Sequence, residues 1–461
     1  MSLGDIFLAG VLLGLILLAG RVLRDAVPPL RWALLPASVV AGLLGLAVGP
    51  EVAGRWAGVD LLPEGVHGVW REAPGLLITV VFATLFLGKE IPGPRRIWEM
   101  AAPQATFGQT VAWGQYVIGL TLAILVLTPV FGIHPAVGAL IEIGFEGGHG
   151  TAAGLGATFD ELGFEEGRDL ALGMATIGVV LAVVLGSVLI KIERRHSWRD
   201  GEDFTRKRTM PEGDEADDRP GILECSEERA ILEPLTLQLG LIGLAIALGW
   251  LLQQGLIRLE AATWGGPDGV EVLRHVPLFP LAMIGGVALQ VAIDRLGLGR
   301  YVSPRLMGRI GATALDLTIA AAVATLSLQI LAANWEVLAI LATAGAVWNV
   351  AAFWLLAPRI IHRAPFERGI GDFGQSMGMT VTGLLLMRMA DPENRTRAIE
   401  SFGYKQLLFE PFVGGGVVTA MSVPLIFAFG PVTMLAVSSA IFAAWLVFAW
   451  ALFMRHAPGG R

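Results

Sequence analysis

Two polar, glycine-rich segments interrupt stretches otherwise apolar enough for a bilayer. The first reads Glu146-Gly147-Gly148-His149-Gly150-Thr151, and the second Gly371-Asp372-Phe373-Gly374-Gln375-Ser376-Met377-Gly378-Met379-Thr380. Glycine lets backbone approach a ligand closely and adopt positive φ. The free N–H groups and dipole at a half-helix N-terminus favour an anion such as a carboxylate, and unwound carbonyls can hold a cation. His149 and Thr151 can hydrogen-bond a carboxylate or an amine. Broken backbone beside ionisable groups persists in hydrocarbon only where protein or a water-filled cavity surrounds it. One such segment reads most simply as small-residue helix packing. Two, at corresponding places in the two halves of a chain, point to a transporter's binding site. The candidate substrate residues are therefore Glu146, Gly147, Gly148, His149, Gly150 and Thr151, with Asp372, Gly374, Gln375, Ser376, Gly378 and Thr380.

Acids at membrane depth are candidates for ion coupling, as carboxylate ligands for Na⁺ or as proton carriers. Asp316, within Leu315-Asp316-Leu317-Thr318, reads as the deepest and ranks first, with Thr318 beside it. No basic residue falls inside the apolar part of any expected span, so Asp316 has no evident buried counter-ion. Glu142 precedes the first segment. Gln115 and Asn349 are polar residues within the spans before each segment, where an interhelical hydrogen bond is the plain alternative. Glu410, beside Pro411 and Gly414-Gly415-Gly416, reads as an intramembrane acid or as a residue of the cytoplasmic interface.

These residues sit in a chain of 461 residues that is 54% hydrophobic and only 16% charged, with a mean hydropathy of +0.65. A soluble chain would carry about a quarter charged residues, so this is a polytopic membrane protein. The single cysteine, Cys225, excludes an internal disulfide framework. The seven histidines show no metal-ligand spacing, and nothing points to nucleic acid. The N-terminus lacks a positive n-region and reads as a retained first helix.

A spanning helix needs about 20 mostly apolar residues. Expected spans are 4–23, 31–49, 74–90, 106–130 and 168–191 in the first half, and 233–254, 277–294, 310–332, 336–358 and 406–429 in the second, followed by 432–454. The stretches 135–160 and 367–391 are apolar but broken, and read as re-entrant hairpins or broken helices. The polar segment 192–231, rich in both charge signs, reads as a flexible linker. With the N-terminus outside, most Lys and Arg fall inside: Arg21, Arg24, Lys89, Arg95, the linker, Arg295 to Arg309, Arg359 to Arg368, Arg395, Arg397, Lys405 and Arg455. The outer loops keep Arg55, Arg71, Arg168, Arg258 and Arg274 and an acidic run from Asp160 to Glu166. The second half then starts on the opposite side from the first. The expected fold is all-α: two inverted-topology repeats of about five spans each, with a broken hairpin in each and one extra C-terminal span. Residues 1–191 form the first repeat, 192–231 a cytoplasmic linker, 232–430 the second repeat and 431–461 the extra helix and tail. The hairpin tips should meet near the midplane. A weak echo accompanies this: Phe145 with Gly150, and Phe373 with Gly378.

At these residues the chain resembles the bacterial sodium–glutamate symporter family. Gly147-Gly148-His149-Gly150-Thr151 is similar to that family's Gly-Gly-His-Gly-Thr loop. Gly20-Arg21 with Leu35-Pro36 and Val40-Ala41-Gly42, then Phe82-Ala83-Thr84, Gly163-Phe164 and Met174-Ala175-Thr176-Ile177-Gly178 follow in matching order. The resemblance runs over roughly residues 10–430. It implies a dimeric Na⁺-coupled glutamate transporter that moves a transport domain against a scaffold, with 147–151 and 374–380 lining the substrate site. The chain departs from the pattern at Glu146, where a small polar residue is usual, at the opening of the second loop, and at Asp316. Added acids repel a dicarboxylate unless protonated or cation-bound.

Together these features point to a multi-pass transporter of the inner membrane, with the N-terminus outside and linker and C-terminus cytoplasmic. It couples Na⁺, with H⁺ as the alternative ion, to a small amino acid such as glutamate or a related organic anion. It needs no cofactor and is not an enzyme. The alternatives are an H⁺-coupled carrier of another amino acid or a cationic substrate, a channel on the same fold, and an intramembrane aspartyl protease. The protease reading rests on Gly369-Ile370-Gly371-Asp372 with Asp316 as partner acid, and it lacks the Tyr and Pro-Ala-Leu elements.

Overall fold

The computed structural model describes residues 2–27, 36–55, 62–89, 94–199, 234–264, 272–393 and 395–456. Every regular element among them is helical. In chain order the principal helices of the first half are α1 (Leu3–Ala26), α2 (Ala37–Val48), α3 (Glu64–Thr84), α4 (Pro94–Leu122), α5 (Leu140–Phe145), α6 (Gly148–Gly154), α7 (Gly156–Glu161) and α8 (Gly167–Arg199). The second half has α9 (Pro234–Ala262), α10 (Leu278–Arg295), α11 (Pro304–Ala324), α12 (Leu328–Ala333), α13 (Trp335–Leu355), α14 (Pro365–Ala390), α15 (Ala398–Phe409), α16 (Val417–Phe429) and α17 (Pro431–Leu452). Among the described residues nine helices are long and apolar enough to cross a membrane, so the chain is an integral membrane protein. α1 and α17 bury little of their surface and present side chains such as Phe7, Leu18, Val432 and Val447 outward, as lipid-facing helices do.

The helices form two packed groups. In the first, α1 lies on α2, α2 on α11, α11 on α3, α3 on α10 and α10 on α9. Small residues set these contacts. A Cβ on Gly20 would come 2.6 Å from Ala41, and one on Gly249 2.6 Å from Ala282. One on Gly42 would meet Val323 at 2.5 Å, and one on Gly286 the Ala83 carbonyl at 2.6 Å. In hydrocarbon such close backbone approach replaces the hydrophobic drive that packs soluble helices. The second group is α4, the stretch 133–164, α8, α13, α14, α15 and α16, and the largest apolar cluster joins it to Val39 and Leu46 of α2 and to Ile319, Ala322 and Val323 of α11. α3 and α11 touch α6, which links the groups beside the first glycine segment.

Several expectations change. The expected span 406–429 is not one helix: α15 ends at Phe409 and α16 begins at Val417, with Gly414 and Gly415 at φ 72° and 106° between them. The expected spans 74–90 and 310–332 are shifted towards the N-terminus, to Glu64–Thr84 and Pro304–Ala324, and the former is not among the nine apolar spans. α8 continues to Arg199, so the linker's first residues are helical, while 200–231 lie outside the described residues, as do 31–35 of the expected second span. Two cations expected in loops are buried. Arg168 donates to Thr325 at 2.8 Å, and Lys405 is fully buried.

α14 is broken where its sequence suggested. Gly378 and Met379 leave helical geometry, and the two limbs fold back on one another. A Cβ on Gly374 would lie 2.8 Å from Gly383, and one on Gly371 2.7 Å from Met387 Cγ. Nine residues of straight helix would hold Gly374 and Gly383 about 13 Å apart.

Candidate functional site

Three interruptions of the backbone converge. The first separates α5 from α6 at Gly147–Gly148, the second is at Gly378–Met379, and the third is the 410–416 turn. Gly148 has φ 67° and a Cβ there would sit 3.0 Å from Met379 Sδ. A Cβ on Gly415 would come 2.6 Å from Thr151 Oγ1.

Polar side chains tie the breaks together. Glu142, fully buried, accepts from Tyr116 Oη at 2.6 Å, Thr419 Oγ1 at 2.7 Å and the Gly414 N–H at 3.0 Å. Three donors are what a buried carboxylate needs to offset its lost hydration. Gln115 Nε2 donates to the Ser376 carbonyl at 2.7 Å, satisfying a group that the break frees from its helix, and lies 3.4 Å from Asn349 Oδ1. Asn349 also caps the Gly345 carbonyl at 2.8 Å. At the third break Glu410 Oε1 accepts from Thr380 Oγ1 at 3.0 Å and Gln406 Nε2 at 2.7 Å.

One cation is at the centre. Lys405 Nζ lies 2.8 Å from Asp372 Oδ1, donates to Gln375 Oε1 at 2.6 Å and sits 3.8 Å from the Phe409 ring centroid. Glu146 is buried as well, and neither of its oxygens has a donor within 3.5 Å. It lies beside the Ser376 hydroxyl and within electrostatic reach of Glu142, Lys405 and Asp372. Gln115 Oε1 is a further buried acceptor with no donor.

His149 points to α8, its Nε2 3.0 Å from Thr176 Oγ1. Thr176 already donates to the Leu172 carbonyl, so its oxygen accepts from the ring. Two coupling candidates stand apart. Asp316 is on an exposed face of α11 because the buried stripe of that helix runs through Gly311, Ala314 and Thr318. At about 100° per residue, position 316 points away from that stripe. Thr318 is buried but donates to its own helix at Ala314, 2.8 Å away.

The residues that sequence reasoning missed are Lys405, Gln406, Tyr116 and Thr419. The Gly414-Gly415-Gly416 run after Glu410-Pro411 was the available signal for the third break. For Lys405, its position next to an expected span rather than inside it concealed its depth. No group of three or more His, Cys, Asp or Glu that could hold a metal ion occurs among the described residues. The aspartyl-protease reading fails on geometry, since Asp372 pairs with Lys405 and Asp316 is exposed on another helix.

No curated protein matches the chain. The sodium/glutamate symporter family matches it over residues 5–362, a stretch that contains the first break and ends before the second and third. The chain belongs to the sodium/glutamate symporter family, a family of transporters and not of enzymes.

Proposed function

We propose that the chain is a Na⁺-coupled symporter of glutamate or a related small amino acid or organic anion, and that its substrate binds where the three breaks meet. The observation that carries this reading is the convergence of Gly148, Met379 and Gly415 on a buried set of polar groups some of which lack partners. Freed N–H groups at the start of α6 suit a carboxylate. The acceptors at Glu146, Ser376 and Gln115 suit an ammonium group or a coupling cation. A substrate carrying both charges fits this division better than a simple dicarboxylate. That leaves a zwitterionic or cationic amino acid, with H⁺ in place of Na⁺, as the second reading.

The inverted-repeat reading draws support from matched packing. α1–α2–α11 and α9–α10–α3 use glycine contacts at corresponding places, Gly20 and Gly249, then Gly42 and Gly286. In this reading α1, α2, α3, α9, α10 and α11 form a scaffold, and the helices carrying the breaks move against it. The assembly is a homodimer in the inner membrane, with the N-terminus outside and the linker and C-terminus cytoplasmic.

The test is uptake of labelled L-glutamate into proteoliposomes under an inward Na⁺ gradient, against a K⁺-only control at matched pH. Na⁺-dependent accumulation is expected. Uptake that ignores Na⁺ but follows an imposed proton gradient would replace this reading with the second one.

A further inference from the structure

Four acids surround the junction of the breaks, and one cation is buried among them. Lys405 is fully enclosed, as is Asp372. Its ammonium has the surroundings of a bound monovalent cation: a carboxylate oxygen at 2.8 Å, an amide oxygen at 2.6 Å and the face of Phe409 at 3.8 Å. Aromatic faces attract cations through their quadrupole. The chamber is also shaped for it. A Cβ on Gly108 of α4 would come 2.9 Å from Lys405 Cε and 3.1 Å from Nζ, so the absence of a side chain there leaves room for the ammonium. The limb that supplies Asp372 and Gln375 leads directly into the Gly378–Met379 break.

We infer that the Lys405 ammonium is a tethered cation that fills, within the protein, a monovalent-cation site formed by Asp372, Gln375 and the Phe409 ring. This rests on the reading of the junction as a transport site and adds to it. A dissolved cation would meet the same oxygens with the same sign of charge. Because the ammonium is covalently held, Asp372 stays neutralised whether or not substrate is present. The site then requires one dissolved cation fewer than its acids suggest. Glu146, which has no ammonium of its own at hydrogen-bond distance, is left as the acid for a dissolved cation or a substrate ammonium. Lys405 is thus a positioning and charge-setting residue, and its removal should expose a cation site that the wild type conceals.

The experiment is thermal unfolding of the purified full chain in detergent, titrated with NaCl against N-methyl-D-glucamine chloride at constant ionic strength. Wild type, Lys405→Met and Lys405→Met/Asp372→Asn are compared. A ligand that binds only the folded state raises its melting midpoint by mass action. Lys405→Met is expected to melt lower without Na⁺ and to gain several degrees more from NaCl than wild type does. The double variant, with no buried charge to neutralise, should lose that extra gain. An equal response in wild type and Lys405→Met would overturn the inference, as would an extra gain that persists in the double variant. Failure of Lys405→Met to fold at any NaCl concentration would also overturn it, because Na⁺ would then be unable to replace the ammonium. Should wild type ignore Na⁺ while Lys405→Met responds, the inference stands and Na⁺ coupling in the natural protein falls.

Discussion

Gly148 and Met379 meet face to face, each at the break of its own helix. A Cβ on Gly148 would lie 3.0 Å from Met379 Sδ and 3.3 Å from its Cβ. Gly148 has φ 67° and Met379 φ 62° with ψ 171°. The Met379 conformation is one that side chains other than glycine hold only at a cost of about 1–3 kcal/mol, and such strain collects at functional sites. Two breaks that touch can transmit a change at one directly to the other.

Gly148→Ala tests that contact. The alanine takes on a left-handed conformation that costs roughly 1–2 kcal/mol and presses on Met379. Initial uptake should fall by about tenfold or more, which corresponds to about 1.4 kcal/mol, with the protein still inserted. Adding Met379→Ala removes the Sδ and Cγ contacts but leaves the Cβ contact and the strain, and should recover part of the rate. Wild-type uptake by Gly148→Ala would show that the contact is incidental.

Glu142 holds the first and third breaks together through Tyr116, Thr419 and Gly414. Glu142→Gln keeps the shape but turns one acceptor oxygen into an N–H₂ donor facing donors. Leaving a buried partner unsatisfied costs about 1–3 kcal/mol. The melting midpoint and the uptake rate should both drop. Tyr116→Phe, which removes one donor and leaves two, should have the smaller effect. Equal losses would mean that Tyr116 is needed for something besides this bond.

How much of this was legible beforehand follows from which residues announce themselves in a linear reading. The first break was evident because Gly147-Gly148 and His149 stand out against apolar flanks. The second was evident because Gly371 to Thr380 is polar over a whole turn of helix and more. The third was masked, since Phe409 to Phe429 is apolar enough on average to read as one span despite its glycines. Lys405 was misplaced because its charge was assigned to a loop, although Asp372, more than thirty residues earlier, is what makes its burial tolerable. Asp316 reads as deep in the sequence, but depth along a helix does not reveal which face a residue occupies, and in the structure it is on the exposed face. That face is set by Gly311, Ala314 and Thr318 packing inward.

Asp316→Asn therefore separates depth from position. With its side chain on an exposed face, the substitution should leave uptake and its Na⁺ dependence within about twofold, the scale of an ordinary surface change. Glu410→Gln should cost more, because Glu410 accepts from both Thr380 and Gln406 at the third break. Loss of Na⁺ dependence in Asp316→Asn alone would return Asp316 to the coupling site and shift the argument to α11.

Glu146→Gln should move stability and function in opposite directions. The wild-type carboxylate is buried with no donor within 3.5 Å of either oxygen, beside the Ser376 hydroxyl. Glutamine removes the charge and brings an N–H₂ donor beside Ser376 Oγ. A new buried hydrogen bond contributes about 1 kcal/mol, so the melting midpoint in Na⁺-free buffer should rise. Uptake should fall, since the acid that waits for an ammonium or a cation is gone. A site that gains stability by losing its charge is one where strain is kept for function. A variant that is both less stable and fully active would assign Glu146 to packing and move the binding position towards the third break.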